Sequence, residues 1–182
     1  IWKLEKRDIE AERLRYSVLA GNHAYAIQIS MERALSATYA VAAVVRQNKG
    51  QVTDFEGLGK EMLPLYPGIS SMALAPGGVV RYVAPLEGNQ KAIGLDQLND
   101  PRQGSEGRRA RDSGQLTLAG PLELRQGGIG VVGRLPIFVP GNTGKPEFWG
   151  LISVIIRLPQ ALANIHLEQL KTEGLHYELF RI

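Results

Sequence analysis

The 182 residues include no cysteine, which excludes thiol nucleophiles, thiolate metal sites and disulfides while leaving the compartment open. Histidine is scarce. His23, His166 and His176 lie far apart, without an H-x-x-x-H or a metal-ligand carboxylate spacing, so no metal site is expected. Long apolar runs are also missing. The longest, Ala34 to Val45, carries Ser36, Thr38 and Tyr39 and is too short to cross a hydrocarbon layer of ~30 Å. Charge of one sign is not in large excess: 21 basic and 18 acidic residues leave a net +3. The densest basic cluster, Arg108, Arg109 and Arg111, is bounded by Glu106 and Asp112 and reads as a solvated helix face, so no nucleic-acid partner is expected. There is no G-x-S-x-G, no H-E-x-x-H and no framed pair of acids, so this segment is not expected to be an enzyme or to carry a cofactor.

Glycine is plentiful, and Gly128, Gly130 and Gly133 stand at the spacing G-x-G-x-x-G. A dinucleotide loop needs a helix to begin there, because the helix N-terminus supplies the N–H groups and dipole that hold a pyrophosphate. Instead Pro136 and Pro140 follow within the apolar, β-branched run Val131 to Val139, which favours strand. The glycines therefore read as a turn and strand start between Leu116–Leu124 and Val131–Val139. The later Gly144-Lys145 pair is no phosphate loop either, since Val139 and Pro146 occupy the positions that need Gly and Ser or Thr.

No proline occurs before residue 50, and one long helix is expected to end at Gly50. Ala24, Ile27, Met31, Leu35, Thr38, Ala42 and Val45 recur at steps of three and four. Such a seam packs either on a second helix, with the part before Gly21 as a stalk, or on the chain's own domain. Thr53 with Glu56 suggests a capping box and a helix over Asp54 to Leu63. Ile69–Ala75 and Val79–Pro85 flank Pro76-Gly77-Gly78 as two strands. A helix follows from Asp100 to Gly114, then the glycine hairpin, the strand Phe148–Leu158 and a helix from Pro159 to about Lys171. The fold class is α+β: a long N-terminal helix, then a five-stranded antiparallel sheet with flanking helices. The expected division is 1–50 for the stalk and dimerisation helix, 51–158 for the sensing domain, and 159–182 for a helix and first strand of a further part.

The segments "GLDQLNDPRQ", "RRARDSGQLTLAGPLEL", "GVVGRLPIFV" and "FWGLISVII", in this order and spacing from about Gly68 to Leu170, resemble the CHASE domain, the extracytoplasmic sensor module of receptor histidine kinases and diguanylate cyclases. The resemblance implies a PAS-like fold around a small-molecule pocket. It also implies a following membrane-proximal part, of which "GLHYELFRI" looks like the first strand. Its setting would be the periplasmic or extracytoplasmic part of an inner-membrane protein, membrane-tethered and a homodimer through the N-terminal helix. On this resemblance Asp96 falls at the acidic position that hydrogen-bonds adenine in cytokinin-binding members, and Arg134 stands where those members carry threonine. Period-two alternation sets Arg134 with Val132 and Pro136, and a guanidinium there favours an anion over cytokinin. Tyr82, Leu124, Phe148 and Trp149 are the candidate pocket wall. A non-enzymatic sensor of a small molecule is the leading expectation; a structural dimerisation module without ligand is the alternative.

Overall fold

The computed structural model describes residues 2–141 and 143–178. A single helix, α1 (Trp2–Gln47), precedes everything else. Its last turns bury Leu35, Ala37, Thr38, Val41, Ala42 and Val45, so the second half of the seam packs on the chain's own sheet. Thr38, the polar member, satisfies its hydroxyl locally by donating to Leu35 O at 2.7 Å. α2 (Phe55–Met62) starts one residue later than the capping-box reading places it. Asp54 is the cap, accepting from Gly57 N at 2.8 Å. Glu56 accepts from Leu86 N instead, tying α2 to the loop after the second strand.

Five strands follow: β1 (Ser71–Pro76), β2 (Tyr82–Ala84), β3 (Thr117–Glu123), β4 (Ile129–Pro140) and β5 (Pro146–Leu158). They form one antiparallel sheet in the order β2-β1-β5-β4-β3. The helix α3 (Gly104–Ser113) lies between β2 and β3 in sequence. β2 is shorter than expected because residues 78–80 bond to another segment: Gln97 N donates to Gly78 O, and Val80 N to Leu95 O.

Period-two alternation gives the sheet two apolar faces. Met72, Leu74, Leu135, Ile137, Ile152, Val154 and Ile156 meet α1 and α2. Ala73, Ala75, Val132, Leu151 and Ile155 point the other way, toward the 80–98 segment and Ala110 of α3. The expected helix from Pro159 is broken. Residues 160–165 form a 3₁₀ turn, His166 takes a left-handed conformation, and α4 covers only Glu168–Thr172. Leu162, Leu167 and Leu170 pack on Leu19 and Ile27 of α1. Of "GLHYELFRI", residues 174–178 form no strand, and residues 179–182 lie outside the described residues. No described helix is long and apolar enough to cross a membrane.

Candidate functional site

The glycine pattern resolves into structure first. Leu124 N donates to Gly128 O, and Gly127 N to Leu124 O, closing the β3–β4 turn. Gly127 and Gly128 take positive φ, where an L side chain would be strained. Gly130 and Gly133 lie within β4. No helix N-terminus adjoins them, so the hairpin expectation stands and the nucleotide loop does not.

On β4 the alternation holds as expected. Gly133, Leu135 and Ile137 pack toward α1, and Val132 packs on the opposite core. Arg134 shares the Val132 face and is 1% exposed, the largest fully buried side chain described. Its cross-strand neighbours are Thr117 on β3 and Ser153 on β5. Its Nη2 donates to Gln103 Oε1, while Nε and Nη1 are buried and have no hydrogen-bond partner among the described residues. Burial lowers the guanidinium pKa to about 10 against the opposing pull of the Glu106 and Asp100 carboxylates. It therefore stays charged at neutral pH.

Two glutamines complete this polar group. Gln97 is 3% exposed and accepts from Ser153 Oγ at 3.0 Å; Gln103 precedes α3. Close backbone approach fixes both: a Cβ on Gly107 would lie 1.9 Å from Gln97 O, and one on Gly104 2.7 Å from Leu98 O. α3 can sit against the 97–98 segment only because these two positions lack side chains. Asp100 Oδ1 accepts from the N–H groups of Arg102 and Gln103 and shapes the turn that delivers Gln103.

Arg134, Gln97 and Gln103 border a cavity of about 30 Å³, walled by Ala73, Val80, Ala92, Leu95, Leu124, Val132 and Ile155. Arg125 and Gln126 of the hairpin tip line it as well. Beyond them lies a cleft of about 520 Å³ that shares Gln103, Leu124 and Arg125 with the cavity. Arg125 Nη2 sits 3.1 Å from Asp100 Oδ2, so an ion pair stands between cleft and cavity. A separate groove of about 480 Å³ runs between α1 and residues 160–165. Its charged member, Arg33, donates to Leu65 O, and no lining residue there carries a buried unpartnered polar atom among the described residues.

Of the candidate residues, the structure brings Arg134 and Leu124 together at the cavity. Asp96 lies outside its lining. Its carboxylate accepts from Leu98 N at 3.0 Å, from Asn99 N at 3.1 Å and from Asn99 Nδ2 at 2.9 Å. The Asn99 side chain, then the Leu98 backbone, hold its pKa below the ordinary carboxylate range. Tyr82 is opposite Leu74 on the α2 face, its ring edge-on to Phe55 at 6.4 Å. Phe148 packs on the cavity-side core but toward the β4–β5 turn, against Phe138 at 5.8 Å. Trp149 is the extra residue of a bulge, since Ile137 pairs with Gly150 and Phe138 with Phe148. The bulge directs its indole to the α1 side, where Nε1 donates to Gly50 O at 3.1 Å. Gln97, Gln103 and Ser153 were not among the candidates. The one available signal was Ser153, a lone hydroxyl in the apolar run Leu151–Ile156.

The family model of the CHASE domain matches residues 23–182. Among solved structures, an extracellular ligand binding receptor from Desulfohalobium retbaense superposes with a TM-score of 0.69 at 16% identity, over 86% of this chain and 27% of that one. The extracellular domain of a protein assigned as a histidine kinase aligns with a TM-score of 0.48 at 19% identity, over 85% of this chain and 61% of that one. The chain thus spans about a quarter of the first structure's length and under two thirds of the second's. No curated protein matches it.

Proposed function

This chain belongs to the CHASE-domain family, a family of extracytoplasmic sensory modules, and we propose that it detects a small, anion-compatible molecule at the Arg134 cavity and signals to a cytoplasmic histidine kinase or cyclic-di-GMP output. The observation that carries the reading is a buried guanidinium with two N–H-bearing nitrogens that have no hydrogen-bond partner among the described residues. Such groups are costly to leave unmet in a stable core, by roughly 1–3 kcal/mol for each unpaired donor. They make sense where a ligand supplies the missing acceptors. The receptor is tethered to the inner membrane, with 51–158 as the sensing unit and 159–182 opening a membrane-proximal part. The segment itself is not catalytic.

Homodimerisation through α1 belongs to the same proposal. Leu14, Val18, Tyr25 and Ile29 are exposed and fall on one side of the helix, away from the buried seam. A ligand-free dimerisation module is the second reading, favoured by this stripe alone. A thermal-shift screen of the chain with a broad panel of small metabolites separates the two. A ligand held at 100 times its Kd adds about 2.7 kcal/mol, and that shift should vanish in Arg134→Met. A panel without any stabilising compound would leave the dimerisation module.

A further inference from the structure

The partnerless atoms of Arg134 narrow the ligand to one chemical class. A guanidinium has five N–H donors in a planar fork. The two hydrogens on Nη2 belong one to each edge of that fork, one beside Nε–H and one beside Nη1–H. Gln103 occupies a single Nη2 hydrogen. Whichever edge it takes, the other keeps two parallel donors, because Nε and Nη1 are both unpartnered among the described residues. Two parallel donors match the two oxygens of a carboxylate.

The charge balance limits the anion to a single negative charge. Glu106 and Asp100 already act on Arg134. The other cation of the lining, Arg125, is committed to Asp100 at 3.1 Å. With Arg125 and Asp100 paired, a dianion would meet one available positive charge and the nearby Glu106 carboxylate. The remaining wall, including Ala73, Ala92, Leu95 and Ile155, is aliphatic, which suits a short hydrocarbon body and offers nothing to a ring rich in hydrogen-bonding groups. At about 30 Å³ the cavity holds about two or three waters, given the ~10–15 Å³ that one needs. Anything larger, a carboxylate included, would have to displace lining residues such as those of the Leu124–Gln126 tip.

We infer that the cavity binds a short-chain aliphatic monocarboxylate, its carboxylate seated on the free edge of Arg134 and its hydrocarbon body against the Ala73–Leu95 wall. This rests on the cavity being the ligand site. Gln97 and Gln103 hold the rim: Gln103 fixes the fork, and Gln97 is held by Ser153.

The test is calorimetric titration of the intact chain with acetate, propionate and butyrate, against propionamide, butyramide, inorganic phosphate and succinate. Saturable binding of at least one monocarboxylate is expected, at least tenfold tighter than its amide and than either dianion. Arg134→Lys should weaken it at least tenfold, since an ammonium lacks the fork. Gln103→Glu should fold, with unchanged far-UV circular dichroism, and lose the response because its own carboxylate engages Arg134. Amides binding as tightly as the acids, or phosphate or succinate binding more tightly, would overturn the carboxylate assignment while leaving a ligand site at Arg134. If no probe of the set binds but a neutral compound from the broad panel does, the assignment falls and the sensor reading survives. If nothing in either set binds, both fall.

Discussion

Leu35 of α1 fills the space that a side chain on Gly133 of β4 would need: a Cβ there would lie 2.2 Å from Leu35 Cδ2 and 3.2 Å from Val154 Cγ2. The last glycine of the G-x-G-x-x-G spacing thus serves the contact between helix and sheet. Gly133→Ala overpacks it and should cost about 1–3 kcal/mol by urea denaturation. Leu35→Ala in the same chain should recover part of that loss. Additive losses in the double variant would mean that the two positions do not share this space.

Arg134 should weaken the ligand-free fold. A buried ion pair replaced whole by apolar side chains is often neutral or stabilising by about 1–4 kcal/mol, and the same desolvation argument applies to Arg134, whose Nε and Nη1 have no hydrogen-bond partner among the described residues. Arg134→Met is therefore expected to match or exceed the parent in denaturation midpoint. Gln103→Ala should instead lower stability by about 1–3 kcal/mol, because it removes the hydrogen-bond acceptor that Gln103 offers to a guanidinium that stays buried. If Arg134→Met proved several kcal/mol less stable, the guanidinium would be part of the structural core, satisfied by groups other than a ligand.

The sheet, its antiparallel order and the side of β4 that holds Arg134 were legible in the sequence because period-two alternation and proline positions act locally. The polar partners of Arg134 were not. Gln97 and Gln103 sit in irregular segments, and what brings them to β4 is the contact of α3 with the 97–98 backbone at Gly104 and Gly107, which no spacing encodes. Trp149 was misplaced for a similar reason, since a bulge reverses the face of one residue without changing the apolar pattern around it. The helix from Pro159 was expected because proline suits a first helical turn, but His166 takes up a left-handed conformation and stops it.

Asp96 is expected to act on stability and not on affinity. Asp96→Ala removes three acceptor interactions of one turn and should cost about 1 kcal/mol, with ligand affinity within twofold of the parent. Its folded pKa is lowered, so its contribution is present above the unfolded carboxylate value and is lost as pH falls through the folded one. The loss with acid should be smaller in Asp96→Ala, measured by melting from pH 6 downward. A large drop in affinity would instead return Asp96 to the binding site.

Anion binding should be flat from about pH 6 to 8.5, because Arg134 titrates at about 10. Affinity should fall as pH rises toward that value, since deprotonation removes the charge. The sign for stability is opposite. The folded pKa lies below the unfolded one, so the unfolded chain binds more protons between the two, and the burial penalty is relieved as pH rises through that window. Calorimetric titrations at pH 6, 7, 8 and 9.5 check the first half; binding that already halves between pH 6 and 8 would point to a different titrating group.

Cysteines placed in the full-length receptor at Leu14, Val18 and Tyr25 should cross-link efficiently in membranes, while those at Leu19, His23 and Ile27 should not. Leu19 and Ile27 pack on the Leu162–Leu170 cluster, and His23 Nδ1 lies 3.0 Å from Ile165 O. Uniform or absent cross-linking across the six positions would remove α1 as the dimer interface.

α1 meets the strand that holds Arg134 at one tight contact. Leu35 is wedged at Gly133, one residue before Arg134, and the helix continues from there to Asp8 and beyond. The 27 residues between Leu35 and Asp8 span about 40 Å at 1.5 Å each. Each degree of tilt at Gly133 therefore displaces the far end by roughly 0.7 Å over that arm. The same helix carries the Leu162–Leu170 cluster on its flank, so a tilt of that size would have to move the cluster with it.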